Sequence, residues 1–337
     1  MWLRNRLFDL GILPQRSFEV PTICVGNLAV GGTGKTPMTE YLIRLLTGAG
    51  LHVATLSRGY GRSTHGFRLV SADSTAAEVG DEPRQMKRKF PNITVAVCED
   101  RCEGMVRLLT GDRPIDVALL DDAFQHRYVH ARLSIVLTDY NRLYSRDALL
   151  PAGRLRESRS GAGRAQIVVV TKCPDQLDEQ ERQSIRRELK LNDSQQLYFS
   201  RIAYDGEVRA KDILLLTGIA NPAPLEQHLQ ATGARVHMLS FPDHHRFSDK
   251  DLQLVARTYN AIDSTDKLIV TTEKDAQRLA DVWSTTTDID ADSIKTLPIS
   301  LEITGGKEET FNKNILSYVR ENSRNSSIPE SKNDHQS

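Results

Sequence analysis

The segment that most constrains this chain runs from Cys24 to Pro37, C-V-G-N-L-A-V-G-G-T-G-K-T-P. A short apolar run, Ile23, Cys24 and Val25, feeds a glycine-rich loop that closes on Gly34-Lys35-Thr36. Met38, Tyr41, Leu42, Leu45 and Leu46 follow at the spacing of one apolar helix face. Strand, glycine-rich loop and helix N-terminus in that order are what a phosphate-binding loop requires. Backbone N–H groups freed by glycine wrap the anion at the positive end of a helix. Ala29, Val30, Gly31, Gly32, Thr33, Gly34, Lys35 and Thr36 are therefore the candidate nucleotide-binding residues. Lys35 would reach the β- and γ-phosphates, and the Thr36 hydroxyl would hold Mg2+. Ala29 stands where the strict G-x-x-x-x-G-K-[ST] pattern has glycine, at little cost if its φ is negative. A tight turn without a ligand would account for the glycines but not for the Lys and Thr after them.

The 337 residues suit two domains of ordinary size. Lys plus Arg and Asp plus Glu balance at 44 each, so no global basic field argues for a nucleic-acid partner. Basic residues do cluster at Arg84 to Lys89 and Arg154 to Arg164, where they could meet an anionic substrate. The cysteines (Cys24, Cys98, Cys102, Cys173) have neither disulfide nor zinc spacing. Cys98 and Cys102 lack a His or a second pair beside them, so they read as core or surface thiols of a reduced, cytosolic compartment. No run of about 18 apolar residues encodes a transmembrane helix, and the N-terminus lacks a signal-peptide cleavage site. Met1 to Leu13 is rich in Trp, Leu, Phe and Ile, with Arg4 and Arg6 among them. That composition suits a short helix on an anionic membrane surface, or equally a segment docked on the protein's own body.

The first half alternates strand and helix patterns. Val53 to Leu56 reads as a strand ending in Ser57-Arg58-Gly59-Tyr60-Gly61-Arg62, cationic groups where α/β proteins bind ligands. Val79 to Pro83 opens a basic amphipathic helix, and strand Thr94 to Val97 is followed by Glu99-Asp100-Arg101. Asp116 to Leu120 is an apolar strand ending in Asp121-Asp122, the Walker B pattern whose carboxylates hold Mg2+. Gln125 and His126 follow, polar groups beside that metal, although His126 also fits a satisfied structural histidine. After strand Leu133 to Thr138, the arginines of Leu149 to Glu157 have the fork geometry that clamps phosphates. Strand Ile167 to Thr171 runs into Thr171-Lys172-Cys173-Pro174-Asp175, which resembles a GTPase base-reading motif with Thr for Asn. The pattern changes after a strand at 196–201: strands at 213–216, 236–239 and 268–272, each with a polar loop after it, predict a second, smaller α/β domain. Asp243 beside two histidines is a candidate acid/base group, or else part of a turn capping the helix from Ser248. The expected organisation is a contact helix over 1–13, a P-loop domain over 14–204, the smaller domain over 205–320 and a disordered tail over 321–337.

Eight stretches in one order, V-G-N-L-A-V-G-G-T-G-K-T-P, L-S-R-G-Y-G-R, V-G-D-E-P, E-D-R, D-D-A-F-Q-H, L-P-A-G-R-L-R-E, F-P-D-H-H-x-F and T-T-E-K-D-A, resemble the tetraacyldisaccharide 4′-kinases. The resemblance spans about Pro14 to Phe311 and implies a P-loop NTPase-type, doubly wound, mostly parallel sheet with a second, smaller α/β domain. It implies transfer of the ATP γ-phosphate to the 4′-hydroxyl of a tetraacylated lipid A disaccharide 1-phosphate, giving lipid IVA, with Mg2+, at the cytoplasmic face of the inner membrane. No obligate protein partner is implied. By motif, Lys35 and Thr36 resemble the phosphate lysine and Mg2+ ligand, and Asp121 and Asp122 the metal-holding pair. Asp100 resembles the catalytic base and His244 the histidine that orients it. Arg156 resembles an arginine stabilising the transferring phosphoryl group, and Gln125 a polar group at the metal. The family often carries a longer hydrophobic N-terminal segment, so attachment here is expected to be peripheral. Ala123 replaces a glycine, harmless unless positive φ is needed there. Rival readings are a GTP-hydrolysing switch and a non-catalytic nucleotide-binding module.

Overall fold

A computed structural model describes residues 2–243, 245–279, 282–283 and 289–323. In chain order the elements are α1 (Trp2–Asp9), β1 (Thr22–Asn27), α2 (Lys35–Gly48), β2 (Val53–Ser57), β3 (Arg68–Leu69), α3 (Ala76–Val79), α4 (Asp81–Lys89), β4 (Thr94–Val97), α5 (Arg101–Leu109), β5 (Val117–Asp121), β6 (Leu133–Asp139), β7 (Ile167–Thr171), α6 (Glu179–Leu189) and β8 (Gln196–Tyr204). The chain continues through β9 (Asp212–Thr217), α7 (Ala223–Ala231), β10 (Arg235–Ser240), α8 (Asp249–Asn260), β11 (Lys267–Thr272), α9 (Glu273–Leu279), β12 (Ile294–Leu297), β13 (Ile299–Ile303) and α10 (Glu308–Asn322).

Nine strands form one sheet in the order β13-β8-β7-β6-β1-β5-β2-β4-β3. The inner strands are parallel, and β13 and β3 close the edges antiparallel. Alternating side chains of β1 feed two cores. Ile23 and Val25 pack with Met38, Leu42, Ile43 and Leu46 of α2, and Cys24 packs with Leu120 and with Met105 and Leu108 of α5. Both faces are thus covered by helices, as a parallel sheet requires. Strand order reverses around β1, so its carboxyl end opens the crevice where such sheets bind ligands. Gly26 is obligatory there, because a Cβ would lie 2.6 Å from that of Phe124.

The other four strands form a parallel sheet in the order β10-β9-β11-β12. One boundary differs from expectation. The segment 299–320, assigned to the smaller domain, returns to the large sheet: β13 pairs with β8, and Phe311, Ile315 and Val319 of α10 are buried in the core that α2 fills. Its apolar residues Leu301, Ile303, Phe311, Ile315 and Val319 thereby join the core of the large sheet. The expected tail over 321–337 overlaps the end of α10, which runs to Asn322, and residues 324–337 lie outside the described residues.

Ion pairs on α9 join the sheets. Lys89 of α4 bridges Glu40 and Glu273, each at 2.7 Å, and Arg278 pairs with Asp81 at 2.8 Å. Asp275, fully buried, accepts from the Gly218 N–H (2.9 Å), the Thr272 hydroxyl (2.8 Å) and Arg278 (3.2 Å). The T-T-E-K-D-A stretch is therefore a clamp between the two sheets.

Helix α1 docks one face on the protein's own body and leaves apolar side chains exposed on and after its other face. Phe8 is buried edge-on against Tyr128 (5.0 Å between centroids) with the Arg127 guanidinium over its ring, and Arg4 donates to the Gln125 carbonyl at 2.7 Å. Trp2, Leu3, Leu10 and Ile12 are each between 62% and 71% exposed. Among the described residues no helix is long and apolar enough to cross a membrane.

Asp275→Ala removes a buried acceptor of three donors and leaves Arg278 half-paired, a loss of about 3–5 kcal/mol. Denaturant unfolding is expected to show a much lower midpoint, and an unchanged midpoint would mean that the clamp does not hold the two sheets together.

Candidate active site

Helix α2 starts without a side-chain cap. Its N-cap, Gly34, takes a left-handed conformation (φ 85°), and Gly31 has φ 106°. Glycine adopts both freely, and the unfilled helix start leaves N–H groups for an anion. Positive φ outside glycine is confined, among the described residues, to Asp122, Lys172 and Lys190, so Ala29 and Ala123 both sit in ordinary backbone regions.

The loop is held from three sides. Asn27 Nδ2 donates to Thr33 Oγ1 at 2.5 Å, and Thr171 Oγ1 donates to the Thr33 carbonyl at 2.9 Å. Residues 154–156 run antiparallel beside it: the Val30 N–H donates to the Arg154 carbonyl (2.8 Å) and the Arg156 N–H to the Leu28 carbonyl (2.7 Å). The L-P-A-G-R-L-R-E stretch therefore carries Arg156 to the loop. Thr171 is spent on loop support, Lys172 pairs with Asp139 at 2.8 Å and Asp175 with Arg201 at 2.6 Å, so the GTPase-like residues are occupied structurally.

At the end of β5 the two carboxylates part company. Arg156 grips Asp122 bidentately (2.7 and 3.2 Å) and also donates to Asn27 Oδ1, while Lys35 Nζ lies 3.8 Å from Asp122 Oδ2. Burial pushes the Asp122 carboxyl up, but Lys35 and Arg156 outweigh it and hold it below the ordinary carboxylate range. Asp121 accepts one hydrogen bond, from Thr39 at 3.2 Å, and among the described residues no basic side chain forms an ion pair with it. Burial first, then Glu82 and Asp122, push it up to about 7.

Gln125 Nε2 donates to the Asn27 carbonyl and to Glu157 Oε1, both at 2.8 Å, and its own Oε1 is buried without a partner. The Asp121 carboxylate, without an ion pair among the described residues, and the orphaned Gln125 amide oxygen are oxygen donors of the kind that Mg2+ takes. Asn27 and Glu157 were not among the candidates. Both lie inside quoted motifs, but an Asn in a strand end and a Glu after arginines give no signal of their partners.

Asp100 caps α5, with Oδ1 accepting from the N–H groups of Cys102 (2.8 Å) and Glu103 (3.3 Å), and is exposed. Ligating atoms of Asp100, Cys102 and His126 all lie within 4.8 Å of one another. His126 is not a satisfied structural histidine: its Nε2 is buried without a partner. Burial and then Arg101 push it down to about 4, so the ring is neutral at physiological pH. His244 lies outside the described residues. Its neighbour His245 bonds Asp251 (3.1 Å), which forms the capping box of α8 with Ser248, and stacks on Phe241. His245 therefore belongs to the helix cap.

A sequence model of the family described as tetraacyldisaccharide-1-P 4′-kinase matches residues 1–320. Curated proteins named tetraacyldisaccharide 4′-kinase from Bacteroides thetaiotaomicron and Bacteroides fragilis are each 49% identical, covering 99% of this chain and 94% of their own lengths. A solved structure described as an "apo" form of LpxK from Aquifex aeolicus in complex with ATP superposes with a TM-score of 0.71 at 28% identity, covering 94% of each chain. The chain belongs to the tetraacyldisaccharide 4′-kinase family, the kinases of lipid A biosynthesis.

Proposed function

We propose that the crevice at the carboxyl end of β1 transfers the ATP γ-phosphate to the 4′-hydroxyl of a lipid A disaccharide 1-phosphate, with the residues in the following roles. Residues 29–36 wrap the nucleotide phosphates at the uncapped start of α2, and Lys35 leaves its loose contact with Asp122 for the γ-phosphate. Thr36, Asp121, Asp122 and Gln125 would hold Mg2+, which supplies charge neutralisation across the β- and γ-phosphate oxygens when bound. Arg156, poised on the loop, stabilises charge on the transferring group. Asp100 accepts the proton of the 4′-hydroxyl as its oxygen forms the new O–P bond and the bond from the γ-phosphorus to the bridging oxygen breaks, releasing ADP. His244 orienting that carboxylate rests on the F-P-D-H-H motif alone.

The single observation that carries this reading is the pairing of an uncapped phosphate loop with a buried, cation-free Asp121 beside the Arg156–Asp122–Lys35 cluster. Membrane contact is read as peripheral, at the cytoplasmic face of the inner membrane. The exposed Trp2, Leu3, Leu10 and Ile12 and the adjacent arginines would rest in the headgroup layer next to the crevice that must receive an acylated substrate.

With labelled ATP and lipid A disaccharide 1-phosphate in detergent, the wild type is expected to yield labelled bisphosphate. Lys35→Ala and Asp100→Asn should each lose roughly 10²–10⁴-fold in kcat. GTP turnover retained in Asp100→Asn, with no labelled lipid from any protein, would promote the switch reading instead. Flotation with anionic vesicles tests the contact helix: Trp2→Glu with Leu3→Glu should leave the protein in the unbound fraction, and unchanged flotation would remove α1 from the membrane account.

A further inference from the structure

The spacing of the cysteines argues against a metal site, yet the fold brings together three side chains able to bind a metal ion from segments that the sequence keeps apart. Asp100 and Cys102 come from the N-cap and first turn of α5, and His126 from the turn after β5. We propose that Asp100, Cys102 and His126 form a site for a soft divalent cation, Zn2+ above all, and that its occupation blocks phosphoryl transfer. The second half of the inference rests on the role given above to Asp100; the first does not.

Three observations support it. The ligating atoms lie within 4.8 Å of one another. A tetrahedral site with bonds of about 2.0–2.3 Å places ligand atoms roughly 3.3–3.8 Å apart, so side-chain rotation of about 1 Å closes it. His126 Nε2 is buried and has no hydrogen-bond partner, an imidazole nitrogen left with a lone pair or proton to satisfy. Asp100 Oδ1 is tied to the N–H groups of Cys102 and Glu103, which fixes the carboxylate and the thiol on one helical turn while Oδ2 accepts no hydrogen bond among the described residues. One thiol, one imidazole and one carboxylate make a donor set that selects zinc over magnesium, which takes oxygen ligands. The Mg2+ needed for transfer would therefore not compete. Three protein ligands also leave a fourth position open for water. While bound, it occupies the carboxylate oxygen that would otherwise take the substrate proton.

The test uses the full chain after chelator treatment. In its binding arm, without nucleotide, Zn2+ is titrated against a chromophoric chelator, and Co2+ is added separately to read the thiolate-to-metal absorption. The wild type should bind one Zn2+ and show the Co2+ band. Cys102→Ser, which removes only the thiol and keeps the backbone N–H bonded to Asp100, should lose the band and bind Zn2+ at least about tenfold more weakly. In its activity arm, buffered free Zn2+ should inhibit the wild type at saturating Mg·ATP, while Cys102→Ser keeps basal turnover and resists about tenfold more Zn2+. Equal Zn2+ binding by wild type and Cys102→Ser, or none by the wild type, would overturn the site. Tight binding without inhibition would overturn the block. A wild type that binds Zn2+ but phosphorylates no lipid with Mg·ATP supports the site and fails the kinase role of Asp100 separately.

Discussion

The structure turns on the bidentate grip of Arg156 on Asp122 at 2.7 and 3.2 Å. That contact ties three segments that are remote in sequence: the strand end of β5, the phosphate loop through Asn27, and the arginine-rich stretch around residue 156. It also bears on the protonation of the pair. Lys35 and Arg156 hold Asp122 low, while burial first, then Glu82 and Asp122, outweigh Lys35 and the Thr39 hydrogen bond and push Asp121 up to about 7. The pair is thus divided: Asp122 is bound to side-chain cations, and Asp121 holds a proton in reserve.

That reservation has a thermodynamic sign. A carboxyl that ionises near pH 4 when unfolded keeps its proton to about 7 when folded. Between those limits the native state binds more protons, so this group's contribution to stability is lost as pH rises through the window. With Asp121 in the metal-holding role proposed above, a bound cation would remove the penalty and couple nucleotide–metal binding to the stability of the β5 end. The clamp through Lys89, Glu273, Arg278 and Asp81 fixes α4, whose Glu82 raises Asp121 further, so the smaller sheet also bears on the site.

The phosphate loop, the Asp121–Asp122 pair and the alternating strands were legible because each is local: a strand, a turn and a helix start within fifteen or so residues carry their own signals. Arg156 was legible as a phosphate clamp but not as the partner of Asp122, a contact across 34 residues. The return of β13 and α10 to the large sheet was not legible, since apolar periodicity says that Phe311 and Ile315 are buried without saying against what. Cysteine spacing carries no sign of the approach of His126 to Cys102, which is made through the fold and not through the sequence. The F-P-D-H-H stretch divides: His245 belongs to the α8 cap, and the role of His244 stands on its motif.

The most direct measurement is calorimetric titration of Mg·ADP at pH 6.5 in buffers of different ionisation enthalpy. If Asp121 keeps its proton until a cation arrives, the wild type releases protons on binding and Asp121→Asn does not. Binding with no net proton release by the wild type would contradict the division of charge on which this account of the site rests.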